Sequence, residues 1–281
     1  MAGSTLAAVP ELLEVETYRR QAEAVVGRTI VGAEAPDEWF VKGTVPDEVV
    51  AAVTGATVVA VRRRGKLLVL DLAPPGGRGG RATTGDGDLV HLGLRFGMTG
   101  RLLVDGAASI EKLEYSSGRD EPRWDRFTLR FADGTELRLR DPRRLGGVSL
   151  DPDEERLGVD ALDLTVDDVR DALAGSTAPL KARLLDQARV AGIGNLLADE
   201  ILYRAGLDPV RPAGGLGDAE LEALTASVVE VLADLGARGG SHTGDLRAAA
   251  ALDGLCPQDG APLQRRQVGG RTTWSCPVHQ R

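Results

Sequence analysis

Gln187 to Pro209 reads QARVAGIGNLLADEILYRAGLDP. Apolar residues recur at helical spacing on both sides of Gly192-Ile193-Gly194, and the glycines break the pattern between them. The stretch predicts two helices joined by a tight Gly-x-Gly turn, with Asn195 as N-cap of the second. A turn of this kind exposes backbone N–H groups at a helix N-terminus. Such groups bind a phosphate without any need for net positive charge. Lys181, on the preceding helix, is placed to supply a cation. A plain αα-hairpin with no ligand has the same spacing, so the stretch by itself fixes local structure and not function.

Around it the pattern stays helical. Thr165 with Asp168 forms a capping box, Pro179 to Gln187 reads as a helix, and Asp218 to Gly236 as a longer amphipathic one. The first half differs. Strands are predicted at Thr29–Ala33, Ala56–Arg62, Lys66–Leu72, Leu89–Leu94, Arg101–Val104, Arg126–Phe131 and Glu136–Arg140. A short helix spans Pro46–Val53, and Asp133-Gly134 is a hairpin signal. Pro74 to Asp88, rich in Gly, Pro and Thr, reads as a flexible loop, and acidic Asp151 to Asp160 as a linker. The fold class is therefore α+β. Residues 10–150 form a β-sandwich domain flanked by helices, 160–250 a helical domain, and 251–281 a terminal hairpin.

The N-terminal segment carries a helix too. Leu12, Val15, the Arg19 stem, Ala22 and Val26 line one stripe, with Pro10 at the first helical position and Glu11 and Glu14 in the first turn.

A net charge of −8 over 281 residues argues against a uniformly basic nucleic-acid coat. The charge is uneven, however. Residues 151–172 hold nine acids against Arg156 and Arg170, whereas residues 260–281 hold four arginines and no acid. Local basic faces can still hold DNA. Two cysteines are too few for a disulfide scaffold, and neither a signal peptide nor a membrane-length apolar run is present, so the expected compartment is the cytoplasm.

Three short stretches carry cations or glycines at turns: Arg62-Arg63-Arg64-Gly65-Lys66, Gly97-Met98-Thr99-Gly100 and Arg140-Asp141-Pro142-Arg143-Arg144-Leu145-Gly146. Each by itself reads as a surface turn; the first also suits a phosphate grip with one lysine aimed into a cleft. Near the C-terminus stand Cys256-x-x-Asp259 and Cys276-x-x-His279, sixteen residues apart. That spacing is in the range of a zinc ribbon, and a carboxylate oxygen can complete a tetrahedron of thiolates and imidazole. A metal-free hairpin with the same residues is the alternative.

Taken together, PELLEVE, RRRGK, GMTGRLL, LRDPRRLG, LKARLLDQARVAGIGNLLADEILYRAG and GGRTTWSCPVHQ resemble, in order, the formamidopyrimidine-DNA glycosylase and endonuclease VIII family. The resemblance spans nearly the whole chain from Pro10, and by it residues 160–250 are the family's helix–two-turn–helix DNA-binding domain and residues 251–281 its zinc-finger hairpin. It implies a bacterial, monomeric base-excision repair enzyme, nucleoid-associated when bound to damaged double-stranded DNA. Such an enzyme grips the duplex in the cleft between two domains and flips the damaged base out, because C1′ is inaccessible inside the stack. By the same resemblance Pro10 is the amine that attacks C1′, and a Schiff base and β,δ-elimination follow. Glu11 is the acid/base at the opening sugar, and Lys66 assists base loss and contacts phosphate. Asn195 and Arg271, with Lys181, hold the flanking phosphates. Met98, Arg143 and Leu145 fill the gap left by the flipped nucleotide, as apolar wedges and an arginine suit that task. Cys256, Asp259, Cys276 and His279 hold a structural Zn2+, and no organic cofactor is implied.

The chain departs from the family pattern at several points. Leu13 replaces a proline, Leu145 a phenylalanine, and Asp259 and His279 two cysteines. Gly239–Leu255 is shorter than the matching stretch of the oxidised-guanine enzymes. Pro10 is also internal, and a tertiary amide has no nucleophilic lone pair. Val9 offers a resolution, since GTG is both a valine codon and a bacterial start. Initiation there followed by methionine removal frees the Pro10 amine. Two functional readings follow: an active glycosylase/AP lyase, or a non-catalytic binder of damaged or abasic DNA. A third, an unrelated zinc-ribbon protein, fits the C-terminus alone.

Overall fold

The computed structural model describes residues 9–75, 89–115, 119 and 121–281. It divides into two compact units, residues 14–154 and residues 9–13 with 155–281. The division falls within the first helix, α1 (Leu12–Ala22). Leu12 and Leu13 belong to the apolar core of the helical unit, whereas Val15, Tyr18 and Ala22 belong to that of the β unit. The helix starts at Leu12, so Pro10 precedes it and does not open it. It also ends in a 3-10 turn at Glu23–Val25, which buries Val25 and leaves Val26 exposed, off the expected stripe.

Residues 14–154 hold β1 (Ile30–Glu34), α2 (Pro46–Val53), β2 (Thr57–Arg64), β3 (Leu67–Ala73), β4 (Val90–Arg95), β5 (Arg101–Val104), β6 (Asp125–Phe131), β7 (Glu136–Arg140) and β8 (Gly147–Leu150). They form two antiparallel four-stranded sheets, ordered β1-β6-β7-β5 and β2-β3-β4-β8. Alternate residues of both sheets, such as Leu70, Leu94, Leu129 and Leu139, meet in one core with Tyr18 and Phe96. Each such side chain contributes roughly 1.5–3 kcal/mol of burial. Strand β3 is buried on nearly every residue, a sign that both of its faces are covered. The short β8 carries no strong alternation and escapes sequence reading. The loop expected at Pro74–Asp88 lies largely outside the described residues.

The helical unit holds β9 (Val159–Asp160), α3 (Val166–Leu173), α4 (Leu180–Leu184), β10 (Val190–Ala191), α5 (Asn195–Arg204), α6 (Asp218–Ala237), α7 (Asp245–Leu252), β11 (Gln264–Val268) and β12 (Arg271–Ser275). The Thr165 hydroxyl and Asp168 carboxylate cap α3 reciprocally. Leu221, Leu224, Val228, Val231 and Leu235 recur on one stripe of α6 and are buried against α3 and α5. α4 is shorter than the expected Pro179–Gln187 helix, because the Gln187 side chain turns back to the Leu185 and Ile193 carbonyls.

Candidate functional site

In the helical unit the site is built on the Gly-x-Gly turn. The Gln187 side chain closes the turn, accepting from the Gly192 N–H at 3.0 Å and donating to the Ile193 carbonyl at 2.9 Å. The N-terminal segment then lies directly on it. The Leu12 N–H donates to the Gly192 carbonyl at 3.2 Å, and a Cβ on Gly192 would stand 2.4 Å from the Leu12 side chain. At Gly194 a Cβ would stand 2.1 Å from the Glu11 carboxyl carbon. The glycines are therefore required for the approach of Glu11 and Leu12 as much as for the turn.

Glu11 is 3% exposed. Its carboxylate accepts from the Leu196 N–H at 2.9 Å and the Leu197 N–H at 3.1 Å. This corrects two expectations. The N-cap of α5 is Gly194, with Asn195 the first helical residue, and two of the N–H groups expected to cradle a phosphate are taken by Glu11. A carboxylate on helix N-terminal amides is the favourable arrangement, since it meets both the unpaired donors and the helix dipole. Pro10, adjacent to Glu11, is also buried. What remains at the start of α5 for another ligand is the Asn195 side chain, whose Oδ1 has no hydrogen-bond partner among the described residues.

Lys181 is also corrected as a phosphate contact. Its ammonium is 0% exposed and reaches Asp199 at 2.7 Å, the Thr273 hydroxyl at 2.7 Å and the Thr272 carbonyl at 3.1 Å. It makes two hydrogen bonds and one ion pair within the fold. The buried ammonium joins α4, α5 and β12, the strand that Arg271 opens. Burial pushes the Asp199 carboxyl up to about 6, against the pull of the Lys181 charge. Burial also lowers the Lys181 pKa, and Asp199 and Glu11 oppose that effect. Arg271 itself is exposed, with no acidic partner among the described residues. It follows the Gly269-Gly270 turn, whose Gly269 packs on α4: a Cβ there would stand 2.9 Å from Ala182. Asp199 and Gln187 were missed in the sequence, where each reads as an ordinary helical polar residue.

At the base of the β11–β12 hairpin, one ligand atom each from Cys256, Asp259, Cys276 and His279 lie within 4.8 Å of one another. Cys256 Sγ is 3.5 Å from His279 Nδ1, which is 3.5 Å from the Asp259 carboxylate. That carboxylate is 3.2 Å from Cys276 Sγ. Tetrahedral zinc with Zn–S of about 2.3 Å and Zn–N or Zn–O of about 2.0–2.1 Å sets ligand–ligand edges of roughly 3.3–3.8 Å, so the set fits a metal. The outer partner fits as well. His279 Nε2 donates to the Tyr203 carbonyl at 3.0 Å, which leaves Nδ1 as the lone-pair nitrogen facing the cluster.

In the β unit, Lys66 stands at the tip of the β2–β3 hairpin after Gly65, whose φ is +57°. The four expected tip cations do not act alike. Arg62 is held by Asp71 at 2.9 Å and Glu154 at 2.5 Å, and Arg63 by Glu16 at 3.2 Å, so both tie the hairpin to its own unit. The register places Arg95, exposed and with no ion pair among the described residues, opposite Leu67 beside the tip. A strand-end arginine gives no signal in sequence, and only the pairing reveals it.

Met98, Arg143 and Leu145 sit on two loops that are joined at Asp141. This fully buried carboxylate accepts from the Arg143, Leu145 and Gly146 N–H groups at 3.1, 2.8 and 2.8 Å, and from the Thr99 hydroxyl. Gly97 lies against Leu145, where a Cβ would stand 2.5 Å from the backbone. Arg144 adopts φ of +58° and is held by both oxygens of Asp37 at 2.6 Å. The scaffold is rigid, while the Arg143 and Leu145 side chains are exposed and Met98 is half-buried.

A β-sandwich followed by a helix–two-turn–helix unit with a Cys/Asp/Cys/His hairpin defines a class of DNA-repair architecture, and the comparisons agree with it. The formamidopyrimidine-DNA glycosylase N-terminal domain matches residues 9–148 and the H2TH domain of the same enzymes matches 157–245; the chain belongs to this family. The formamidopyrimidine-DNA glycosylase of Paracoccus denitrificans is 36% identical over 97% of this chain and its own whole length. That of Carboxydothermus hydrogenoformans is 33% identical with the same coverage. Among solved structures, the complex of Lactococcus lactis Fpg with an abasic site containing DNA has a TM-score of 0.76 at 27% identity, covering 96% of this chain and 99% of that one. Its complex with a Fapy-dG containing DNA has a TM-score of 0.77 at 28% identity, covering 96% and 100%.

Proposed function

We propose that this chain, a DNA glycosylase/AP lyase of base-excision repair by its family, acts on damaged duplex DNA through the secondary amine of Pro10. The observation that carries the reading is the fixed Glu11 carboxylate beside Pro10, held by two amides of α5. The Pro10 amine attacks C1′ of the flipped nucleotide and the C1′–base bond breaks, the base leaving with the electron pair and taking a proton from water. The Glu11 carboxylate takes the proton lost by the Pro10 nitrogen and delivers it to the ring oxygen as the C1′–O bond opens to the iminium. The resulting cationic iminium draws electrons from the sugar, so the strand is cut by successive β- and δ-elimination. A terminal amine titrates at roughly pH 8, which leaves a useful neutral fraction near pH 7.

Asn195 and Arg271 hold the phosphates beside the lesion, Lys66 contacts phosphate and assists base loss, and Met98, Arg143 and Leu145 occupy the vacated stack. The hairpin ligands Cys256, Asp259, Cys276 and His279 hold zinc. The metal supplies a structural cross-link, fixing the hairpin that presents Arg271. The enzyme works as a monomer in the bacterial cytoplasm, at the nucleoid; among the described residues no helix is long and apolar enough to cross a membrane. The reactive form begins at Pro10, from initiation at Val9 and methionine removal, and the family match beginning at residue 9 supports this start.

The test is borohydride trapping on duplex DNA with an abasic site, comparing protein beginning at Pro10 with protein beginning at Met1. A covalent adduct at Pro10 is expected from the first form alone. Equal trapping by both forms overturns the assignment of Pro10. Salt-sensitive binding with no adduct from either form establishes the non-catalytic binder instead.

A further inference from the structure

The β unit carries an open cleft of about 1030 Å3 that the site described above does not use. Trp39, Lys42, Arg123 and Arg126 line it, with Arg123 paired to Glu121 at the surface, and Arg144 belongs to it from the loop that presents Arg143 and Leu145. Of its three acids, Asp37 and Asp125 are already countered, and Glu38 is exposed with no ion pair among the described residues. Asp37 is held by Arg144 at 2.6 Å and Arg126 at 3.4 Å, and Asp125 by Arg140 at 2.5 Å and Arg138 at 3.3 Å. Lys42 has no ion pair among the described residues.

The aromatic residues point the same way. The chain has only three Trp, three Tyr and four Phe. All four Phe, Tyr18 and Tyr203 are in the core. Of the remaining four, Trp39, Trp124 and Tyr115 each carry a cation over the ring: Lys42 at 4.8 Å, Arg123 at 5.7 Å and Arg143 at 5.7 Å. The Trp124 carbonyl accepts the Asp141 N–H at 2.9 Å, which joins the Trp124 backbone to the base of the Arg143 loop. Trp39 is 67% exposed and Tyr115 47%. Of these three rings Trp39 lines the cleft, and an exposed stacking ring beside cations in a polar groove is a feature by which proteins hold unstacked single strands.

We propose that this cleft binds the DNA strand opposite the lesion, stacking an unpaired nucleotide on Trp39 with its phosphates on Lys42 and Arg123. The proposal rests on the reading that Arg143 and Leu145 enter the duplex at the lesion. Wedging there unstacks the opposite strand next to a loop whose Arg144 already lines the cleft. Its substrate class is thus duplex DNA with a disrupted partner strand, and the cleft contributes only when that strand is present.

The test is equilibrium binding to a duplex with a stable abasic-site analogue and to the same lesion strand alone, over a salt series. Trp39→Ala is expected to lower the duplex-to-single-strand affinity ratio about tenfold, and Trp39→Phe to restore most of it. Lys42→Ala is expected to reduce the slope of log affinity against log salt on the duplex by about one. Unchanged melting of both variants, which follows from their exposure, separates this from misfolding. Equal loss on both substrates, or no loss on either, overturns the proposal. Failure of the unaltered protein to prefer the abasic duplex over intact duplex would instead overturn the functional reading on which it rests.

Discussion

Two buried carboxylates each hold a loop by its backbone amides, yet they differ in where their donors come from. Asp141 accepts from Arg143, Leu145 and Gly146, all within five residues of it. Glu11 accepts from Leu196 and Leu197, about 185 residues along the chain. Asp141 thus shapes its own loop, and its oxygens are spent in doing so. Glu11 brings a distant segment, and the adjacent Pro10, onto the start of α5. The local arrangement makes a rigid support for exposed side chains. On the proposed chemistry the long-range one positions the reacting group, and its disruption is expected to cost chemistry before it costs the fold.

Gly194→Ala tests that difference most severely. Its Cβ would stand 2.1 Å from the Glu11 carboxyl carbon, so the carboxylate has to leave the two amides. Excision and strand cleavage are expected to fall by about a hundredfold or more, the range in which a misplaced acid/base group acts. Stability falls by about 2–4 kcal/mol for the two lost bonds to a charged acceptor. Steady-state cleavage and urea denaturation measure the two effects. A variant that loses stability while keeping activity would break the distinction between the two carboxylates.

The same contrast explains what was legible in the sequence. Local signals read correctly: the Thr165 box, the Asp133-Gly134 hairpin, the Pro46–Val53 helix and the Arg101–Val104 strand all depend on neighbours within a few residues. The Gly-x-Gly turn was visible too, but its partner was not. Nothing near Gly194 in the chain announces that Glu11 will fill the space its missing Cβ leaves. Lys181 misled for a related reason. A lysine on a polar helix face reads as exposed, and only β12, some ninety residues on, shows that it is covered. The cysteine, aspartate and histidine spacing gave the cluster of Cys256, Asp259, Cys276 and His279, which could hold a metal, whereas the Tyr203 carbonyl behind His279 belongs to α5 and has no sequence signal.

Asp199 sharpens the comparison, because its buried carboxylate is held chiefly by a cation instead of by amides. Burial pushes its pKa up to about 6, above the ordinary aspartate value. The folded protein therefore binds more protons than the unfolded chain between about pH 4 and pH 6, so this group's contribution to stability is full below that window and declines as pH rises through it. Asp199→Asn removes the titration. The stability of the unaltered protein relative to Asp199→Asn should thus decline on going from pH 4 to pH 7, by about 2 kcal/mol at the scale of a shift of this size. Thermal melts across that range are the measurement. A difference that rises with pH would mean that attraction to Lys181 outweighs burial.

The smallest effect is expected in the local arrangement, at Arg144. Asp141 already fixes the amides on both sides of it, and the Arg144 side chain is nearly half exposed, so its pair with Asp37 is largely screened. Its backbone at φ of +58° is where glycine is unstrained and alanine is not. Arg144→Gly should accordingly be more stable than Arg144→Ala although both lack the guanidinium. If Asp141 alone sets the loop, the two variants will present Arg143 and Leu145 equally well and excise with similar rates. Should Arg144→Gly lose excision while Arg144→Ala retains it, the left-handed residue itself, and not the carboxylate beneath it, would be what orders the loop.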